Sequence, residues 1–294
     1  MKKLISLGMA LLLVIVFFAC LQDESPQKYN AEKDYKIKVS DDSKAVKITK
    51  CKGKSRKVQI PSHIQSLPVT TIGYESCLLK ENCYKGAFEG KQLISVTIPD
   101  GVKTIEHGAF RNNQLTSVAI PNSVISIGAR AFQNNQLTSI TISNRVIAIG
   151  FMAFEGNQLT NVSIPNRLKT IESGVFWNNR LTSVTIPNSV TSIGARAFYK
   201  NQLISVTIPN SVTFIGGSAF GNNKLTSVTI PDRVTAIGWG AFAYNQLTSI
   251  TIGANVTLRS VFDNGFDDFY RENGKKKGTY TYKDGHWKSQ SCGW

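Results

Sequence analysis

The run Leu181-Thr-Ser-Val-Thr-Ile-Pro-Asn-Ser-Val-Thr-Ser-Ile-Gly-Ala-Arg-Ala-Phe-Tyr-Lys-Asn-Gln202 decides how this chain folds. Val184 and Ile186 alternate with Ser183 and Thr185, the periodicity of a strand. Pro187 has no N–H to donate and ends the ladder. Val190 and Ile193 turn inward again, and Gly194 permits a bend. Ala197 allows close approach, and the Phe198 ring fills the centre of the coil. The unit then restarts. Phe88, Phe110, Phe132, Phe154, Phe176, Phe198, Phe220 and Phe242 recur at one fixed step, and Leu93 to Leu247 and Ile98 to Ile252 keep the same step. An Asn column from Asn113 to Asn245 runs with them, and a buried amide there can satisfy backbone groups that a tight loop leaves unpaired.

A period of 22 residues with Leu-x-x-Val-x-Ile spacing signals a leucine-rich repeat. A single unit cannot bury its apolar face; stacked units share one continuous core. The expected fold class is therefore a β-rich repeat solenoid with 22-residue units, short parallel strands and irregular caps at both ends. The repeats proper occupy 93–258. Residues 58–92 read as an N-terminal capping repeat, because Val58-Gln-Ile-Pro61 and Val69-Thr-Thr-Ile-Gly73 repeat the unit before an insertion that carries Cys77 and Cys83. Residues 259–294 read as a C-terminal cap, in which Thr279-Tyr-Thr-Tyr-Lys-Asp-Gly285 predicts a hairpin. A rival reading makes Tyr280, Tyr282 and Trp287 a separate ligand module.

The N-terminus reads as an export signal over 1–19. Lys2 and Lys3 precede an apolar stretch from Leu4 to Ala19, too short for a membrane span. Ala19-Cys20 resembles a lipobox, so Cys20 is the expected lipidation site and the expected link to a membrane, although Phe17 departs from the usual Leu. Residues 20–57 follow as a basic linker and N-terminal lead-in. From Lys28 to Lys57 eleven basic residues face four acids, a run that suits either a solvated spacer or an anionic surface. The remaining cysteines allow three pairings. A rod separates Cys51 from Cys292, which favours Cys77–Cys83, or Cys51 with either of them.

The +15 net charge suggests nucleic acid, but an exported protein meets no chromosome. Catalysis finds no support. His63, His107 and His286 occupy unrelated places, and no metal-ligand spacing, phosphate-cradling loop or nucleophile elbow is present. No enzyme activity, cofactor or metal is expected.

The unit Leu-x-Ser-Val-Thr-Ile-Pro-x-x-Val-x-x-Ile-Gly-x-x-Ala-Phe resembles the BspA-type bacterial leucine-rich repeat proteins, treponemal forms included, over about residues 45–290. The resemblance implies an exported, surface-exposed protein whose partners are protein or glycan ligands on host or bacterial surfaces. The expected function is that of a lipid-anchored adhesin; the alternative is a structural scaffold of the cell envelope.

Positions that packing does not dictate carry the candidate ligand surface. Trp177 and Tyr199 follow the core Phe in adjacent coils, where other coils carry Glu, Arg, Gln, Gly or Ala. Phe151 and Trp239 share a column with small residues, Phe214 replaces Ser, Thr or Ala, and Arg145 and Arg167 interrupt a column of Gly and Ser. Exposed aromatics near arginine are what a protein-binding patch needs.

Overall fold

The computed structural model describes residues 32–75, 85–254 and 256–289. It is a β-solenoid of about nine turns. The Phe column is its axis. All eight rings are buried and stack with centroids 5.1–5.8 Å apart and interplanar angles of 6–18°. Phe262 adds a further ring 5.5 Å beyond Phe242, although its sequence spacing breaks the period. The stack ends edge-on at both extremities, on Tyr35 at 6.1 Å from Phe88 and on Phe266 at 5.2 Å from Phe262.

The Asn column supplies the stitching. Asn201 donates from Nδ2 to Phe198 O and to Phe176 O one coil earlier, while its Oδ1 accepts from Leu181 N at 3.0 Å. The same three bonds recur at Asn223. A backbone that turns every few residues thus leaves few buried polar groups unmatched.

Strand pairing differs from the sequence expectation in place. The Ser183–Ile186 segment was expected to be a strand, but in the central coils it contributes single bridges such as Ser163 to Thr185 and Thr185 to Thr207. Among the described residues, full strands at this register occur only toward the ends, where Lys57–Gln59 pairs with Ser95–Thr97 and Ser227–Ile230 with Ser249–Ile252. The regular parallel ladder is the two-residue segment before the Gly column: Thr104–Ile105, Ser126–Ile127 and Ala148–Ile149, then Thr170–Ile171, Ser192–Ile193, Phe214–Ile215 and Ala236–Ile237. Gly194 explains this. A Cβ there would stand 2.5 Å from Ser173 N of the preceding coil. The glycine serves close approach between coils rather than an unusual torsion. The left-handed torsion falls two residues later, at Arg196 with φ 56°.

The N-terminal cap is an antiparallel pair, Tyr35–Val39 with Val46–Cys51, laid on Leu67–Ile72. Its inner face buries Tyr35, Val46, Ile48 and the free thiol of Cys51, whose pKa burial pushes up. Its outer face exposes Lys36, Lys38 and Lys50. Residues 35–51 of the basic segment are thus mostly strand. At the other end Gly278–Lys283 pairs antiparallel with Ser249–Ile252 and, around Asp284-Gly285, with His286–Ser289. Between coil and hairpin lies a helix that the sequence reading missed, Phe266–Glu272. Tyr280 and Trp287 are buried, with centroids 5.4 and 4.9 Å from the Phe266 ring. They are cap core, while Tyr282, the third ring of the rival module, stays 40% exposed.

Candidate functional site

The column that follows the Gly column is set by the same 22-residue step but faces solvent. It reads Phe151, Ser173, Ala195, Gly217, Trp239. Three small residues between two large rings leave a shallow groove along the solenoid. Phe151 stands at one end, 37% exposed, and Trp239 at the other, 69% exposed. Trp177 and Arg196 form one flank of this depression of about 300 Å³. A second depression of about 480 Å³ shares Trp177, Arg196, Ser218 and Trp239 with the first, and runs on past Tyr199 and Tyr244 to Asp263. The two are one continuous surface, within the size range of ligand clefts.

The rings carry cations. Arg196 lies 5.4 Å over Trp177, Arg130 5.3 Å over Phe151 and Lys200 5.8 Å over Tyr199. Trp177 and Tyr199 are 6.2 Å apart, tilted by 59°. Among the described residues, no carboxylate forms an ion pair with Arg130, Arg196 or Lys200. Asp263, the acid among the lining residues, accepts from Tyr244 N at 2.6 Å. Trp177 Nε1 is buried without a hydrogen-bond partner, a donor left unmatched at a cost of roughly 1–3 kcal/mol.

One end of the groove overlies an irregular step in the solenoid. Among the described residues the two-residue ladder stops between Ala148–Ile149 and Thr170–Ile171. Here Glu172 replaces the glycine. The amide bonds that close the neighbouring steps, Gly150 N to Ile127 O and Gly194 N to Ile171 O, have no counterpart at Glu172. A side chain at that register meets the backbone of the coil before it, so the coils part. The stacked rings widen with them, to 5.6–5.8 Å from Phe132 to Phe198 against 5.1–5.3 Å on either side within the Phe88–Phe242 column. Glu106 occupies the same column without breaking its ladder, because there the preceding chain leaves the coil through Tyr74–Glu75.

Of the candidate residues, the structure brings Phe151, Trp177, Tyr199 and Trp239 together. Phe214 is 42% exposed on the Phe214–Ile215 strand and does not line the groove, nor do the exposed Arg145 and Arg167. The cations that reach the rings, Arg130 and Arg196, were not singled out, because their column mixes Gly, Met and Ser and looks unconstrained. Tyr244 and Lys200 were legible: both break a column otherwise filled by Asn and Gly that adopts positive φ. Cys20, Cys77 and Cys83 lie outside the described residues. Among the described residues no cluster of three His, Cys, Asp or Glu could hold a metal, and no helix is long and apolar enough to cross a membrane.

The family model for the BspA type leucine rich repeat region matches residues 81–204 and 191–269, in six copies. No curated protein matches the sequence. Among solved structures, a leucine-rich repeat protein from Bacteroides ovatus is 24% identical with a TM-score of 0.57; the match covers 78% of this chain and 66%, just under two thirds, of the other. That likeness shows the fold. A leucine rich cell surface protein from Faecalibacterium prausnitzii is 21% identical over 86% of this chain and 98% of its own, with a TM-score of 0.40. The pneumococcal vaccine antigen PcpA is 19% identical over 79% and 84%, also at 0.40.

Proposed function

This chain belongs to the BspA-type leucine-rich repeat family, and on that premise we propose that it is a surface-displayed lipoprotein that binds other macromolecules, an adhesin for host matrix, host cells or other bacteria. The observation that carries the reading is the groove from Phe151 to Trp239: exposed and half-buried rings, Phe151 and Trp177 under arginines that pair with no carboxylate among the described residues, held on a repeat scaffold. Aromatic and arginine anchors dominate the energetics of protein interfaces. Cys20 is the anchor, and the exposed lysines of the N-terminal cap follow it in sequence, where a basic surface suits anionic headgroups. Many anchored copies turn a weak site into avid attachment.

The test is protease shaving of intact cells, with lysed cells and a known periplasmic protein as controls. Loss of the repeats from intact cells is the expected result. The double variant Trp177→Ala/Tyr199→Ala should then be displayed normally and adhere several-fold less. Protection until lysis overturns the adhesin and leaves the alternative, a structural scaffold facing inward.

A further inference from the structure

We infer that the groove takes an extended acidic peptide of about six residues, one with apolar side chains on alternate positions; this rests on the groove being the adhesive surface. Two features select that ligand.

The first is length and form. Phe151 and Trp239 stand four coils apart, roughly 20 Å at a strand spacing of about 4.8 Å, which an extended chain rising about 3.3 Å per residue covers with six residues. The floor between them, Ser173, Ala195 and Gly217, is narrow and small enough to admit a backbone. Side chains of an extended peptide point alternately down and up. Those pointing down meet apolar walls; those pointing up reach the rim.

The second is charge. The rim carries Arg130, Arg196 and Lys200 with no carboxylate paired to them among the described residues. Carboxylates on the ligand supply the missing partners. A guanidinium stacked on a ring keeps its edge N–H groups free for such a bond.

The test is calorimetric titration of the purified full chain with three probes: an octapeptide alternating leucine and glutamate, its leucine–lysine counterpart, and a sulfated heparin oligosaccharide. The expected result is binding of the leucine–glutamate peptide alone, weakening as salt rises. Trp239→Ala and Arg196→Gln should each weaken it at least tenfold with melting temperature unchanged, and Arg196→Lys, which keeps the charge but loses the stacked fork, should retain only part of it. Equal binding of the lysine peptide, preference for the sulfated sugar, or indifference to both variants overturns the inference. If no peptide binds while cell adhesion still depends on Trp177 and Tyr199, this inference falls and the proposed function stands. If adhesion is also indifferent to those rings, both fall.

Discussion

Two aromatic columns run along this molecule at the same 22-residue step and do opposite things. The Phe88–Phe242 column is fully buried and uniform, and every ring stacks on its neighbours. The Phe151–Trp239 column is exposed and changes identity at every coil. The difference teaches that a repeat constrains a residue only where that residue must fit its own copies above and below. Inside, each ring is the floor of the next. Outside, nothing in the fold prefers tryptophan to glycine, so an aromatic there needs another reason.

Phe198→Ala removes one ring from the middle of the stack and opens a cavity that adjacent coils cannot close; we expect a loss of about 3–5 kcal/mol, read by chemical unfolding. A loss below about 1 kcal/mol would mean that the column is not the core. Asn201→Ala leaves Leu181 N without its acceptor, whereas Phe176 O and Phe198 O each keep a second amide, from Asn179 and Asn223. The expected cost is about 2 kcal/mol, with faster hydrogen exchange at the Leu181 amide. Glu172→Gly should go the other way. It restores close approach at the parted step, and the recovered backbone bond should stabilise by about 1 kcal/mol and protect the amide at 172 from exchange. Unchanged protection there would show that the side chain is not what separates the coils. Trp239→Ala and Tyr244→Ala should change stability by no more than about 0.5 kcal/mol, as exposed positions do. A larger effect in thermal unfolding would mean that the exposed column is structural after all, and would dissolve the comparison.

The cap rings mark the limit of reading by column. Phe262 joins the stack despite its broken spacing, and Tyr280 and Trp287, which look like a surface module, are buried against Phe266. Alternation in a hairpin cannot say which face the open end of a solenoid will claim. The groove was half legible. Trp177, Tyr199, Phe151 and Trp239 stand out as departures from their columns. Arg196 does not, because its column is shared by arginine, methionine, serine and glycine, each held in the same left-handed turn.

What the sequence determined alone was the repeat: its period, its Phe axis, its Asn stitching and the glycine register. These depend on a residue meeting its own equivalent one coil away, so periodicity is enough to reveal them. What only the tertiary structure decided was which of two segments carries the regular ladder, where the ladder breaks at Glu172, how the ends close, and which cations sit over which rings. Those depend on contacts between residues that occupy different columns in different coils, and no single-period pattern records such neighbours.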